Sequence, residues 1–160
     1  MWKLLERSLK KGRITEKFVD KGKHPLKDKK QSWHIRHLDC GSCNGCDWEM
    51  TALLNSIYDV QRFGFDFVAS PRHADILMCT GPLATQLNQA ANMTFEAIPS
   101  PKIVIAVGDC AVNGGVFKEA YAAQAGVNKT IPVKCEIPGC PPSPEDMLKV
   151  LLQLSKTDLQ

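Results

Sequence analysis

Apolar and polar positions follow two rhythms from Trp33 onward. Short runs rich in β-branched residues alternate with longer stretches whose apolar positions recur at helical spacing. Lys102-Ile103-Val104-Ile105-Ala106-Val107 is the plainest strand, and its almost unbroken apolar character suits a strand covered on both faces, as in a parallel sheet. Further strands are predicted over 35–38, 63–69, 75–79 and 131–137. Between them the 3.6-residue period predicts helices over 47–57, 83–97, 116–125 and 144–154, with Gly81-Pro82 as a start signal for the second. Strands that alternate with helices in this way imply an α/β fold, a parallel sheet with helices on both faces. Ligands of such sheets bind beyond the carboxyl ends of the strands.

The cysteines acquire meaning on that frame. Cys40, Cys43 and Cys46 follow the first strand, Cys110 follows the central one in Gly108-Asp109-Cys110, and Cys140 follows the last in Pro138-Gly139-Cys140-Pro141-Pro142. All three places lie at one edge of the expected sheet. Cys79 sits inside the apolar run Ile76-Leu77-Met78 and reads as a buried core thiol, and Cys135 as a structural residue of the last strand.

Charge changes the picture only at the start of the chain. Residues 1–30 carry eleven Lys or Arg and four acids, a net of +7 in a chain whose total is +3, so residues 31–160 are mildly acidic. Trp2, Leu5 and Leu9 share one face of a helix in this basic arm, which suits docking on a partner subunit; a solvated tail and a segment lying on anionic lipid are the other readings. The interspersed acids speak against nucleic-acid binding. The remainder, 31–160, reads as a single domain, long enough at 160 residues in all to bury a core without disulfides. No window approaches the roughly 20 consecutive apolar residues of a membrane span, and Met1-Trp2-Lys3 leads into charge rather than a signal core, so the chain is expected to be soluble with reduced thiols.

Seven cysteines without a disulfide role point to metal. Four thiolates satisfy either a cubane iron-sulfur cluster or a structural zinc. Cys43, Cys46, Cys110 and Cys140 are the preferred set, each with a glycine close by, because a bulky cluster requires close backbone approach. Within the first group the pair Cys43 and Cys46 is preferred over Cys40 and Cys43, since it encloses Asn44-Gly45 and abuts a helix. The long interval between Cys110 and Cys140 favours a cluster over the paired knuckles of a zinc module. Glu49 is either a proton relay near the site or an ordinary ion-pair partner. His24, His34, His37 and His73 show no metal-ligand spacing with one another, and Arg72-His73 reads as turn and surface. The absence of Gly-x-Gly-x-x-Gly and of a P-loop weakens an independent flavin or nucleotide-binding function.

Four motifs, in the same order, carry a family resemblance: Asp39-Cys40-Gly41-Ser42-Cys43-Asn44-Gly45-Cys46-Asp47, Ser70-Pro71-Arg72-His73-Ala74-Asp75-Ile76-Leu77, Gly108-Asp109-Cys110 with Gly114-Gly115, and Pro138-Gly139-Cys140-Pro141-Pro142. Together they resemble the small subunit of membrane-bound, energy-converting (group 4) [NiFe] hydrogenases, itself related to the 20 kDa-type cluster subunit of complex I. The resemblance runs from about Trp33 to the closing helix and leaves the basic arm out. It implies a flavodoxin-like domain with one [4Fe-4S] cluster held by Cys43, Cys46, Cys110 and Cys140, proximal to the nickel-iron site of a large subunit. The implied partners are that [NiFe] large subunit, a ferredoxin-like iron-sulfur subunit and integral membrane subunits. The implied location is the cytoplasmic face of the cell membrane. Complex I relatives carry adjacent cysteines at the first motif, whereas Asn44-Gly45 separates Cys43 from Cys46 here, which points to the hydrogenase branch; a sulfur-reducing branch shares this spacing. The resemblance also implies that catalytic residues are absent from this chain, because a nickel-iron centre needs a second Cys-x-x-Cys pair elsewhere. The length and cysteine count fit one cluster, without the second cluster-bearing domain of soluble uptake hydrogenases.

Overall fold

The computed structural model describes residues 32–157. The basic arm over 1–30, with His24 and its apolar face, lies outside the described residues. Five strands form one sheet: β1 (Trp33–Asp39), β2 (Phe65–Phe67), β3 (Ile76–Thr80), β4 (Ile103–Val107) and β5 (Cys135–Ile137). Their spatial order is β2-β1-β3-β4-β5 and every pairing is parallel. This is the flavodoxin-like order, in which the chain leaves β1 toward one sheet edge and returns through β3 toward the other.

Every residue of β3 and of β4 is buried. Alternate positions feed two cores, as the pleat requires. Ile76, Met78, Ile105 and Val107 join Met50 and Leu53 from α1 (Gly45–Ala52) and its exit, with Met147, Leu151 and Leu154 of the closing helix. Leu77, Cys79, Val104 and Ala106 face the opposite layer, where Ala91 of α2 (Asn88–Ala97) and Ala111 of α3 (Asp109–Asn113) pack with Val127 and Ile131. The closing helix, α4 (Pro144–Thr157), starts where Ser143 accepts a hydrogen bond from the Asp146 N–H (3.2 Å) and donates one to its carboxylate (2.7 Å). Helices therefore cover both faces, as the alternating pattern predicts.

Several boundaries differ from the periodicity, each for a local reason. The helix expected over 47–57 stops at Ala52, and the strand expected over 63–69 is confined to Phe65–Phe67 behind a 3-10 turn, Val60–Phe63, whose flanks Asp59 (φ 42°) and Gly64 (φ 86°) both adopt left-handed backbone. The helix expected over 83–97 begins only at Asn88, because Leu83 has φ 57° and Ala84 forms an isolated antiparallel bridge with Ala123. That bridge also claims the stretch expected as a helix over 116–125: only Gly115–Phe117 makes a 3-10 turn, and Ala125 (φ 57°) and Gly126 (φ 122°) turn the chain back. The alanines there favour helix intrinsically, but tertiary contacts override so weak a preference. The strand expected over 131–137 forms only at Cys135–Ile137.

Candidate metal centre

The carboxyl end of β1 leads into the cysteine loop. Asp39 begins it by accepting hydrogen bonds from the N–H groups of Gly41 (2.9 Å) and Ser42 (2.7 Å), a local turn that brings the chain back over the sheet edge. Asn44 in the left-handed conformation (φ 68°) then starts α1, so Cys46 lies in the first helical turn. Cys110 is likewise in the first turn of α3, directly after β4, while Cys140 follows β5 four residues before α4.

These elements place Cys43, Cys46, Cys110 and Cys140 around one cavity of about 120 Å³, walled further by Ser42, Gly45, Gly81, Asp109, Gly139 and Pro141. It opens at the carboxyl edge of the strands where β1 meets β3, the position at which a sheet of this order receives ligands. Cys110 and Cys140 come together because β4 and β5 are paired neighbours, with Val107 opposite Ile137 at the end of the register. Among the described residues no three His, Cys, Asp or Glu side chains meet at the spacing of a single metal ion. The four thiols thus surround a volume rather than a point.

The sulfurs act on one another. Burial pushes the Cys46 thiol up to about 11, with further increments from the charges of Asp47, Cys110, Cys43 and Cys140. Cys110 is raised by burial first, then by Cys140 and Cys43. Without bound metal, Cys46 is therefore a neutral thiol near neutral pH, and since only the thiolate attacks, its alkylation by iodoacetamide will climb toward a midpoint near pH 11. Peptide-resolved alkylation rates check this; a midpoint at the usual thiol value of 9.0 would mean that the Cys46 thiol is not buried beside Asp47 as described.

Gly108 shows how closely the backbone approaches the thiols. Its φ is +86°, and a Cβ there would stand 2.5 Å from the Cys46 sulfur and 3.3 Å from the Gly139 carbonyl oxygen. A side chain at 108 would occupy the space that the thiol uses.

The remaining cysteines stand apart from this lining. Cys40 is fully buried in the second core with Cys79 and Leu83, its N–H bonded to the Thr80 carbonyl (2.8 Å) and its own carbonyl accepting from Ala84 N–H (2.9 Å). The Cys79 thiol lies well above its usual range because it hydrogen-bonds Cys40 and is buried. Cys135 is half-buried on β5, packed against the first core. Glu49 does not line the cavity. His34 pairs with Asp75 (3.5 Å), and Arg72 and His73 are exposed on the 3-10 turn Pro71–His73.

A hydrogen-bonded group that spacing alone did not reveal lies beside the thiols. The Asp47 carboxylate accepts from Thr80 Oγ1 (2.8 Å), from His37 Nε2 (2.7 Å) and from the Ser42 hydroxyl. On the other side Asp109 and Gly139 exchange two hydrogen bonds, Gly139 N–H to Asp109 Oδ1 (2.8 Å) and Asp109 N–H to the Gly139 carbonyl (2.9 Å). The sequence offered one signal for these roles: Asp47 directly follows one cysteine of the set and Asp109 directly precedes another.

Residues 43–154, which span all four thiols and the sheet behind them, match the family described as the NADH ubiquinone oxidoreductase, 20 Kd subunit. The chain belongs to that family. Its relatives include the probable membrane-bound hydrogenase subunit mbhJ of Pyrococcus furiosus, 49% identical over 123 residues that cover 76% of this chain and 74% of the relative. Formate hydrogenlyase subunit 7 of Escherichia coli is 44% identical over 74% of this chain and 47% of its own length. Among solved structures, a chain of the membrane-bound sulfane sulfur reductase, an archaeal respiratory membrane complex, superposes with a TM-score of 0.68 at 35% identity, covering 79% of this chain and 71% of that one. The protein is an oxidoreductase subunit of the hydrogenase and complex I kind. None of its described helices is long and apolar enough to cross a membrane.

The donor set of the 20 Kd-type site fits an iron-sulfur cluster. Four thiols, three glycines and the Gly108 approach leave a sulfur-lined space at close range to backbone, and such clusters are held by four cysteine thiolates.

Proposed function

We propose that this chain is the electron-transfer subunit of a membrane-associated [NiFe] hydrogenase, with Cys43, Cys46, Cys110 and Cys140 as the ligands of one [4Fe-4S] cluster. The observation that carries the proposal is the meeting of four thiols from the exits of three separate strands around one cavity at the carboxyl edge of a parallel sheet. When bound, the cluster supplies reversible one-electron transfer. The chain's own residues hold and shape its surroundings: the turns after β1, β4 and β5 aim the thiols inward, and the two cores keep those turns in register.

The reaction with substrate belongs to a partner, the nickel-iron large subunit, since one Cys-x-x-Cys-bearing loop here is already engaged by the cluster. Apolar side chains stand exposed near the ligand loops: Trp48, two residues past Cys46, is 73% exposed, and Val116, six past Cys110, is 83% exposed. Exposed apolar side chains in such positions suit burial against a neighbouring subunit. A ferredoxin-like subunit and integral membrane subunits complete the proposed assembly, which holds this chain at the cytoplasmic face of the membrane. The likeness to the sulfane sulfur reductase chain favours a second reading, the same relay in a complex whose partner acts on sulfur.

The decisive experiment is anaerobic purification of the chain in its complex. Brown protein with about four irons per chain and a paramagnetic signal on reduction is expected. Colourless protein with stoichiometric zinc would overturn the proposal in favour of a structural assembly module. The companion chain separates the branches: two Cys-x-x-Cys pairs in it identify hydrogen chemistry.

A further inference from the structure

We infer that the carboxylates of Asp47 and Asp109 set the potential of this site, each holding a negative charge against a ligand cysteine through hydrogen bonds to the loops that carry the ligands. The inference rests on the cluster-bearing reading above and adds to it the residues that tune the cluster.

Asp47 accepts in every contact it makes here. Thr80 Oγ1 donates to Oδ1 (2.8 Å), the Ser42 hydroxyl donates to Oδ2, and His37 Nε2 lies 2.7 Å from Oδ1. The donors to Asp47 come from three elements: His37 on β1, Thr80 at the fully buried end of β3, and Ser42 in the cavity wall. Ser42 Oγ in turn accepts the Asn44 N–H (3.1 Å), so the carboxylate grips the segment between Cys43 and Cys46 from behind.

Asp109 performs the corresponding task across the cavity. It lines the cavity itself, and its paired hydrogen bonds to Gly139 tie the residue before Cys110 to the residue before Cys140. Thirty positions of chain separate the two ligand loops, and this clamp closes that gap locally.

Both carboxylates stand beside ligands: Asp47 directly follows Cys46, and Asp109 directly precedes Cys110 and lines the cavity. A fixed negative charge at close range opposes the arrival of an electron at the same place. Reduction here is the addition of one electron from the donor, with no bond made or broken, so fixed charge acts directly on its free energy. Each carboxylate thus makes two contributions, hydrogen bonds that hold the ligand loops and a charge that lowers the potential.

Asparagine separates them experimentally, since it keeps an acceptor oxygen and removes the charge. The chain in its complex, as wild type and as Asp47→Asn, Asp109→Asn and Glu96→Gln, is titrated with dithionite and followed by the paramagnetic signal. Glu96 is an exposed acid in the last turn of α2, the end that leads into the amino end of β4, whereas the cavity lies at the carboxyl edge, and serves as the control. Iron content reads the cluster-bearing proposal separately, because wild type without iron would refute that reading whatever the variants do. Each Asn variant is expected to keep its iron and to raise the reduced-to-oxidised ratio at a fixed potential at least about tenfold, the effect of one nearby unit charge at an effective dielectric of about 20. Glu96→Gln is expected to leave it unchanged. Wild-type titration curves for both Asn variants, loss of iron from both, or an equal displacement by Glu96→Gln would each overturn the inference.

Discussion

Serine at position 43, 46, 110 or 140 will each time strip the chain of most of its iron, while serine at 40, 79 or 135 will leave iron in place. The reason is the partition of the thiols in the folded chain. Four of them wall one cavity, and loss of any one replaces a soft thiolate with a hydroxyl that stays protonated near neutral pH. Iron should fall from about four per chain to below about two in these variants. Cys40→Ser is the informative case, because Cys40 stands only three residues before Cys43. Its thiol lies fully buried in the second core against Cys79, so serine there places a hydroxyl among apolar neighbours. That substitution should cost stability, about 1–3 kcal/mol by chemical denaturation, with iron retained. Iron analysis beside a denaturation curve distinguishes the outcomes. Loss of iron from Cys40→Ser with retention in Cys43→Ser would exchange the two assignments.

Alanine at Gly108 is expected to have a comparably large effect by a different route. The backbone there has φ 86° and ψ 156°, a region that costs a residue with a side chain about 1–3 kcal/mol. The added methyl group would also stand 2.5 Å from the Cys46 sulfur, well inside contact distance, and Cys46 sits at the start of a helix that cannot yield without displacing Met50 and Leu53 from the core. The sulfur would be driven from its place in the wall, and iron should be lost along with stability. Gly64→Ala supplies the comparison. Gly64 shares the φ of 86° but caps the turn Val60–Phe63, so it should lose stability, about 1 kcal/mol, and keep its iron. Equal iron contents in the two variants would mean that the close approach at Gly108 is not needed for the site.

Much of this architecture was legible before folding was considered, because some of its instructions are local. The unbroken apolar run at Ile103–Val107 requires cover on both faces, and the structure supplies it from α1 and α4 on one side and α2 and α3 on the other. Cysteines placed just after strands had to emerge at one edge, since all strands of a parallel sheet point the same way. The helix expected over 116–125 failed for a complementary reason: its alanines favour helix by fractions of a kcal/mol per residue, less than the bridge between Ala84 and Ala123 and the left-handed turn at Ala125 and Gly126 impose. Cys110, which the sequence places only after the central strand, lies in the first turn of the short helix α3, because Gly108 turns the chain sharply at the end of β4.

The order of residues alone determined that this protein is a parallel α/β domain with cysteines gathered at the exits of three strands, because hydrophobic period and chain direction are properties of neighbours along the polypeptide. Only the folded arrangement decided that Cys40 turns into the core while Cys43 faces the cavity, that Asp47 joins β1, β3 and the cysteine loop, and that Asp109 clasps Gly139. Those outcomes depend on which strands pair and in what register, and pairing energy arises between residues that the chain itself keeps far apart.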